Sequence, residues 1–207
     1  LDQIVYCAPD TALAPDSGNT TASRQTLFTG EATVRAAKAL KAALDAAGGD
    51  LSALNGQDFL GEYEGVTDKM GSEKEYPVSH IAYGYATHVV ELDADGRVSL
   101  VTAAHDVGQV VNPLALSGQI EGGVVMSLGY ALTEDFPLEN GKPTKKFGTL
   151  GLFKAPQTPN VVAVTVGKAG KDGLACGAKG IGEIASIPTA PAVQLAYYNR
   201  DKKFRTK

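Results

Sequence analysis

The 207 residues contain only two cysteines, Cys7 and Cys176, far apart in the chain. A disulfide framework needs more, and an iron–sulfur cluster needs four thiolates, so neither is expected within this chain. Two reduced thiols suit a cytoplasmic protein. No apolar run approaches the roughly 20 residues that cross a bilayer. There is no basic excess: the formal net charge is −4, which removes the electrostatic case for nucleic acid or an anionic membrane as partner. The chain begins Leu1-Asp2-Gln3, without an initiator Met or a basic-then-apolar leader. A fragment or a processed chain is the expectation. His80, His88 and His105 have no Cys or His at metal-ligand spacing, so no protein-held metal is expected. His88 reads as a core or cross-strand residue. No Gly-x-Ser-x-Gly elbow occurs.

What is present is an ordinary globular composition, 43% apolar and 20% charged, with glycines gathered in clusters. Gln3–Cys7 reads as a short strand. Residues 10–19 are a loop rich in Pro, Gly, Ser and Asp. A helix follows, with Val34, Ala37, Leu40 and Leu44 on one face and a Glu31–Arg35 pair at i,i+4. Gly48-Gly49 ends it. Residues 51–78 have no clear period. Residues 81–92 alternate, with Ala86, His88, Val90 and Leu92 on one face. Asp95-Gly96 signals a hairpin into a strand with Val98, Leu100 and Thr102. Asn112-Pro113 opens a second helix with Leu116, Ile120, Val124 and Leu128 four apart. Residues 161–167 are a strand, 173–183 a glycine-rich loop, and 188–198 a last helix. The order predicts an α+β fold, two-layered, with helices packed on a mixed β-sheet, and one unit over 1–207.

Three segments could carry chemistry. Thr20-Thr21-Ala22-Ser23-Arg24-Gln25 lies at a helix start, where free N–H groups attract anions; plain Ser/Thr capping is the alternative. Gly118-Gln119-Ile120-Glu121-Gly122-Gly123 has three glycines that cost a helix interior about 1 kcal/mol each. They are tolerable in a helix's first turns, or where a ligand or another backbone lies against them. Gly177-Ala178-Lys179-Gly180-Ile181-Gly182-Glu183 places one carboxylate at the end of a close-approach loop, before the apolar Ile184-Ala185-Ser186-Ile187-Pro188. A solvated turn is the alternative, but that apolar context predicts a buried acid, which needs a reason. A P-loop is excluded because the Lys-Ser/Thr ending is absent. Asp106 and Asn112 bracket a turn and read as structural.

Together with Pro15-Asp16-Ser17-Gly18 and Asp106-Val107-Gly108, these segments, in this order, resemble the molybdopterin-binding subunit of the xanthine dehydrogenase and aldehyde oxidase family. The resemblance covers nearly the whole chain. It implies that Thr20, Ala22, Ser23, Arg24 and Gln25 contact a molybdenum–molybdopterin cofactor, in mononucleotide or cytosine dinucleotide form. It places Gln119 along the pterin, and Gly180, Ile181 and Gly182 against the cofactor. Glu183 is implied to be the catalytic base. The metal is held by the cofactor's sulfurs, with no protein ligand. Hydroxylation of an electron-poor carbon with water-derived oxygen is the implied reaction.

The family's subunit is several times longer, so the expectation is a fragment or a split subunit. The remainder of the molybdenum subunit, an iron–sulfur subunit with [2Fe-2S] clusters and an FAD subunit are the implied partners, across an interface beyond about 2,000 Å². The tail, Ala190-Pro191-Ala192 through Phe204-Arg205-Thr206-Lys207, resembles the purine and N-heterocycle branch, selenium-dependent forms included. An aldehyde oxidoreductase and a CoA-thioester dehydrogenase are the alternatives within the family. A non-catalytic scaffold or cofactor-carrying subunit is the alternative outside it.

Overall fold

The computed structural model describes residues 3–7, 10–167 and 173–205. Leu1, Asp2, Thr206 and Lys207 lie outside the described residues. The strand β1 (Tyr85–Leu92) turns back through Gly96, at φ 83°, into β2 (Val98–Asp106). The two pair antiparallel, with Tyr85 opposite Asp106 and Val90 opposite Val101. Helix α1 (Gln25–Ala46) precedes them, and α2 (Pro113–Leu132) follows. Asn112 caps α2, its Oδ1 accepting from Ala115 N at 3.0 Å, with Pro113 in the first turn, where its missing N–H costs nothing. The chain then makes a two-residue hairpin, β3 (Leu138–Glu139) and β4 (Lys142–Pro143), before β5 (Asn160–Val166) and α3 (Thr189–Asp201).

β5 lies parallel to β2, from Leu100–Asn160 to Asp106–Val166, giving the sheet order β1-β2-β5. The sheet is therefore mixed, with α2 as the crossover between its two parallel strands. Helices α2 and α3 pack on one face. The fold is α+β and two-layered, as the element order predicted.

The core lies between that face and α2. Val101, Ala103, Ile120, Val124 and Leu128 are buried, and Val193 of α3 closes the cluster. The four-residue spacing on α2 places Ile120, Val124 and Leu128 on one stripe. Burying each contributes roughly 1.5–3 kcal/mol. In β1, Ala86, His88, Val90 and Leu92 turn inward and Tyr85, Thr87 and Val89 outward, as the alternation required.

Two expectations fail, and one hairpin appears where none was expected. Residues 3–7 form no strand, because among the described residues they meet no partner strand; Val5 and Tyr6 are 86% and 81% exposed. The apolar face of α1 is only partly covered: Leu27 and Glu31 are its buried residues, while Ala37 and Leu40 are exposed. The β3–β4 hairpin was missed, although Asn140-Gly141, at φ 50° and 77°, is the standard two-residue signal for it.

Candidate active site

The glycine-rich segment 177–183 is pinned to four other parts of the chain. Its first residues run beside the end of β2: Lys179 N donates to Val107 O at 3.1 Å and Gln109 N to Gly177 O at 2.9 Å. Lys179 Nζ donates to Asp106 Oδ2 at 2.7 Å, and this ammonium, helped by the Gly108 amide, holds the Asp106 carboxyl below its ordinary range. Asp106 thus ties the end of β2 to the loop. Just upstream, Glu31 of α1 accepts from Ala175 N at 2.8 Å. That amide first, then the Arg35 guanidinium at 2.9 Å, holds the Glu31 carboxyl below its ordinary value. The 174–177 turn needs such anchoring, because Ala175 and Cys176 both sit at positive φ, 51° and 55°.

The third anchor is at the acid. Ser23 Oγ donates to Glu183 Oε2 at 2.9 Å and accepts from the Glu183 backbone N–H at 3.0 Å. One hydroxyl thus orients the carboxylate and ties down its backbone. The approach is close: a Cβ on Gly180 would run into the Ser23 carbonyl. Only glycine fits there. Ala22 and Ser23 lie in the left-handed region, φ 50° and 52°, where a non-glycine residue costs on the order of 1–3 kcal/mol. Ser23 is not a helix cap, since α1 starts without a side-chain cap. The capping alternative therefore fails for Ser23.

The fourth anchor is Gln119, whose Nε2 donates to Gly182 O at 3.0 Å. Its glycines are not in the helix's first turn but in the interior of α2. Gly123 is there because the 184–186 turn packs on it: a Cβ would stand 2.6 Å from Ala185 Cβ. Among the described residues, a Cβ on Gly118 or Gly122 would meet nothing within 4 Å, which leaves an open strip beside Gln119.

Ser23 and Glu183 face a cavity of about 470 Å³, together with Thr21, Ala22, His80 and Ile187. A second cavity of about 380 Å³ lies on the other side of the loop, against Gln119, Gly182 and Asn112. The 160 positions between Ser23 and Glu183 are closed by the fold, which brings Ser23, Gly180, Gly182, Glu183 and Gln119 together as one candidate site.

Others of the expected set sit apart. Gln25 Nε2 is engaged by Thr29 Oγ1 at 2.6 Å, and Thr20 Oγ1 donates to Gln25 at 3.4 Å. Arg24 donates to Asn19 O and stacks over Phe28. Ile181 is 8% exposed and belongs to the core cluster, while its remaining surface lines the second cavity beside Gln119 and Gly182. The expectation of a buried acid is corrected: Glu183 is exposed, because the apolar residues after it divide, Ala185 facing α2 while Ile187 stays 65% exposed.

Sequence reasoning did not place the 79–84 segment at the site. His80, Ala82 and Gly84 line the cavity because the lead-in to β1 passes the end of β2 and the 184–186 turn. No sequence spacing carries that signal.

Residues 1–159 match the family model of the molybdopterin cofactor-binding domain. The chain belongs to that family. The match includes the 20–25 segment and Gln119 and ends before the 177–183 loop. The chain is similar to a probable xanthine dehydrogenase subunit of Bacillus subtilis, 28% identical over 92% of this chain and 30% of the relative. It is also similar to the gamma subunit of a 6-hydroxypseudooxynicotine dehydrogenase complex of Paenarthrobacter nicotinovorans, 35% identical over 61% of this chain and 16% of the relative. An aldehyde oxidoreductase of Megalodesulfovibrio gigas is 28% identical over 88% of this chain and 21% of the relative. The chain spans less than a third of the length of each. No helix among the described residues is long and apolar enough to cross a membrane.

Proposed function

We propose that this chain supplies the catalytic base and part of the cofactor cradle of a molybdenum hydroxylase acting on an electron-poor carbon of an N-heterocycle such as a purine. The observation that carries the reading is the two-way hydrogen bonding of Ser23 with Glu183, which holds one exposed carboxylate at the mouth of a cavity. A solvated surface acid would need no such orientation.

The residues fit a large planar cofactor. Gly118 and Gly122 leave a strip that side chains would fill, and Ala22-Ser23 turn in a strained conformation beside the cavity. Gln119 keeps one amide N–H and its Oε1 to meet a heterocycle edge. When bound, the molybdenum cofactor supplies Lewis acidity and accepts the electrons. Glu183 takes a proton from the oxygen nucleophile. Ser23 holds Oε2, so Oε1 is the oxygen that receives it. A positioned base of this kind contributes about 10²–10⁴-fold. The cofactor form, mononucleotide or cytosine dinucleotide, and FAD and [2Fe-2S] centres on partner subunits belong to the same proposal.

The purine reading draws on the xanthine dehydrogenase relative. An aldehyde substrate is the second reading, drawn from the M. gigas relative. Partner subunits are supported by the exposed apolar faces: Leu114, Met126 and Tyr130 on α2 are 85%, 66% and 77% exposed. The remainder of the molybdenum subunit is the proposed cover. The test is Glu183→Gln in the full-length enzyme. Turnover of hypoxanthine and of an aldehyde should both be lost with molybdenum and pterin content unchanged. Retained turnover of both ends the reading.

A further inference from the structure

Two buried histidines lie outside the site and have no role in it so far. His105 of β2 is fully buried and His88 of β1 is 7% exposed. Their Nε2 atoms stand 2.9 Å apart, and His88 Nδ1 stands 2.8 Å from Thr189 Oγ1. Thr189 is fully buried and is the first residue of α3. Two Nε2 atoms at this distance need one proton between them, so one ring donates and the other accepts.

Among the described residues, His105 Nδ1 is buried with no hydrogen-bond partner. If His88 donated to His105, that nitrogen would carry an N–H with nothing to accept it. The opposite arrangement leaves only an unused lone pair, which is cheaper. The network therefore runs one way: His105 Nε2–H to His88 Nε2, and His88 Nδ1–H to Thr189 Oγ1.

Thr189 lies six positions after Glu183, and the segment between them is stiff. Ser186 N and Ser186 Oγ both donate to Glu183 O, at 3.1 and 2.9 Å, and Ala185 is fully buried against Gly123. Its far end is held by Ser23 and its near end by His88. We propose that His88, oriented by His105, is a positioning residue that fixes the Glu183-bearing turn through Thr189. The inference rests on the reading of Glu183 as the base, but its structural half stands independently.

Thr189→Val keeps the shape and removes the acceptor; Thr189→Ser keeps the acceptor. In the full-length enzyme, hydrogen–deuterium exchange should quicken over 183–187 in Thr189→Val and stay unchanged over Ile120–Leu128. Turnover should fall about tenfold or more, with KM within about twofold and metal and pterin content unchanged, as expected for a displaced base. Thr189→Ser should restore both. If Thr189→Val does not fold, His105→Leu, which removes the donor to His88, should give the same pattern, and His105→Gln should soften it. Wild-type exchange over 183–187 in the variants without the bond overturns the proposal. So does equal damage from Val and Ser, which would make the effect one of volume. If Glu183→Gln keeps turnover while the exchange result holds, the base reading alone has failed.

Discussion

The two long helices are held in opposite ways. α2 buries Ile120, Gly123, Val124, Ser127, Leu128 and Gly129 against the sheet, α3, the 184–186 turn and Glu134, whereas α1, two residues longer at 22, buries only Leu27 and Glu31. What fastens α1 is polar and close-range. Glu31 holds the Ala175 amide, Arg35 reaches Glu62 O at 2.8 Å, and Gly61 lies on the α1 backbone, where any side chain would collide with Ala32. The α2 side is a core that excludes water. The α1 side is a clamp on the glycine loop. The two meet at Ser23 and Glu183, so the candidate base is oriented by the weakly packed half and seated on the strongly packed one.

If that contrast holds, the largest loss comes from the α2 stripe. Leu128→Ala should cost about 2–5 kcal/mol, through lost transfer energy and the cavity left behind, and should appear as a lower urea midpoint at unchanged slope. An unchanged midpoint would mean the core is not where the burial places it. Gly123→Ala comes next, at about 1–3 kcal/mol, because the added methyl overlaps Ala185. It should also displace the 183–186 turn, so stability and turnover fall together. A Gly123→Ala protein with wild-type stability would show that the turn is free to move.

The histidine pair gives a smaller effect with a defined pH window. Burial first, then the neighbouring His105, lowers His88 from its ordinary 6.5 to about 4, and burial lowers His105 as well. The folded state resists the protons that the unfolded chain accepts. The stability this contributes is complete above pH 6.5 and is lost as pH falls from 6.5 toward about 4. A double substitution of both histidines by Leu and Gln should flatten thermal midpoints across that window. A slope equal to wild type would remove the pair as its source. Smallest is Leu40→Ala on α1: at 38% exposure it should change stability by about 0.5 kcal/mol or less. A loss as large as that of Leu128→Ala would mean that α1 is packed after all, and the contrast between the helices would collapse.

Wherever one face is buried within a single element, the residue pattern alone was sufficient. The four-residue spacing of Ile120, Val124 and Leu128, the alternation through His88, the Asp95-Gly96 turn and the Asn112-Pro113 start all express local geometry, and all appear in the fold. The glycines at 180, 182 and 123 could be read as points of close approach, but not what approached them. The sequence by itself determined the α+β order, the inward stripe of α2 and the family. Only the tertiary structure decided that Ser23 meets Glu183 across 160 positions, that His88 meets His105 and Thr189, that His80 reaches the cavity, and that Glu183 is exposed. The reason is physical: periodicity records which side of an element can turn away from water, whereas whether that side is covered, as in α2 but only partly in α1, and by what, is decided by chain closure and strand order, which no spacing within a segment encodes.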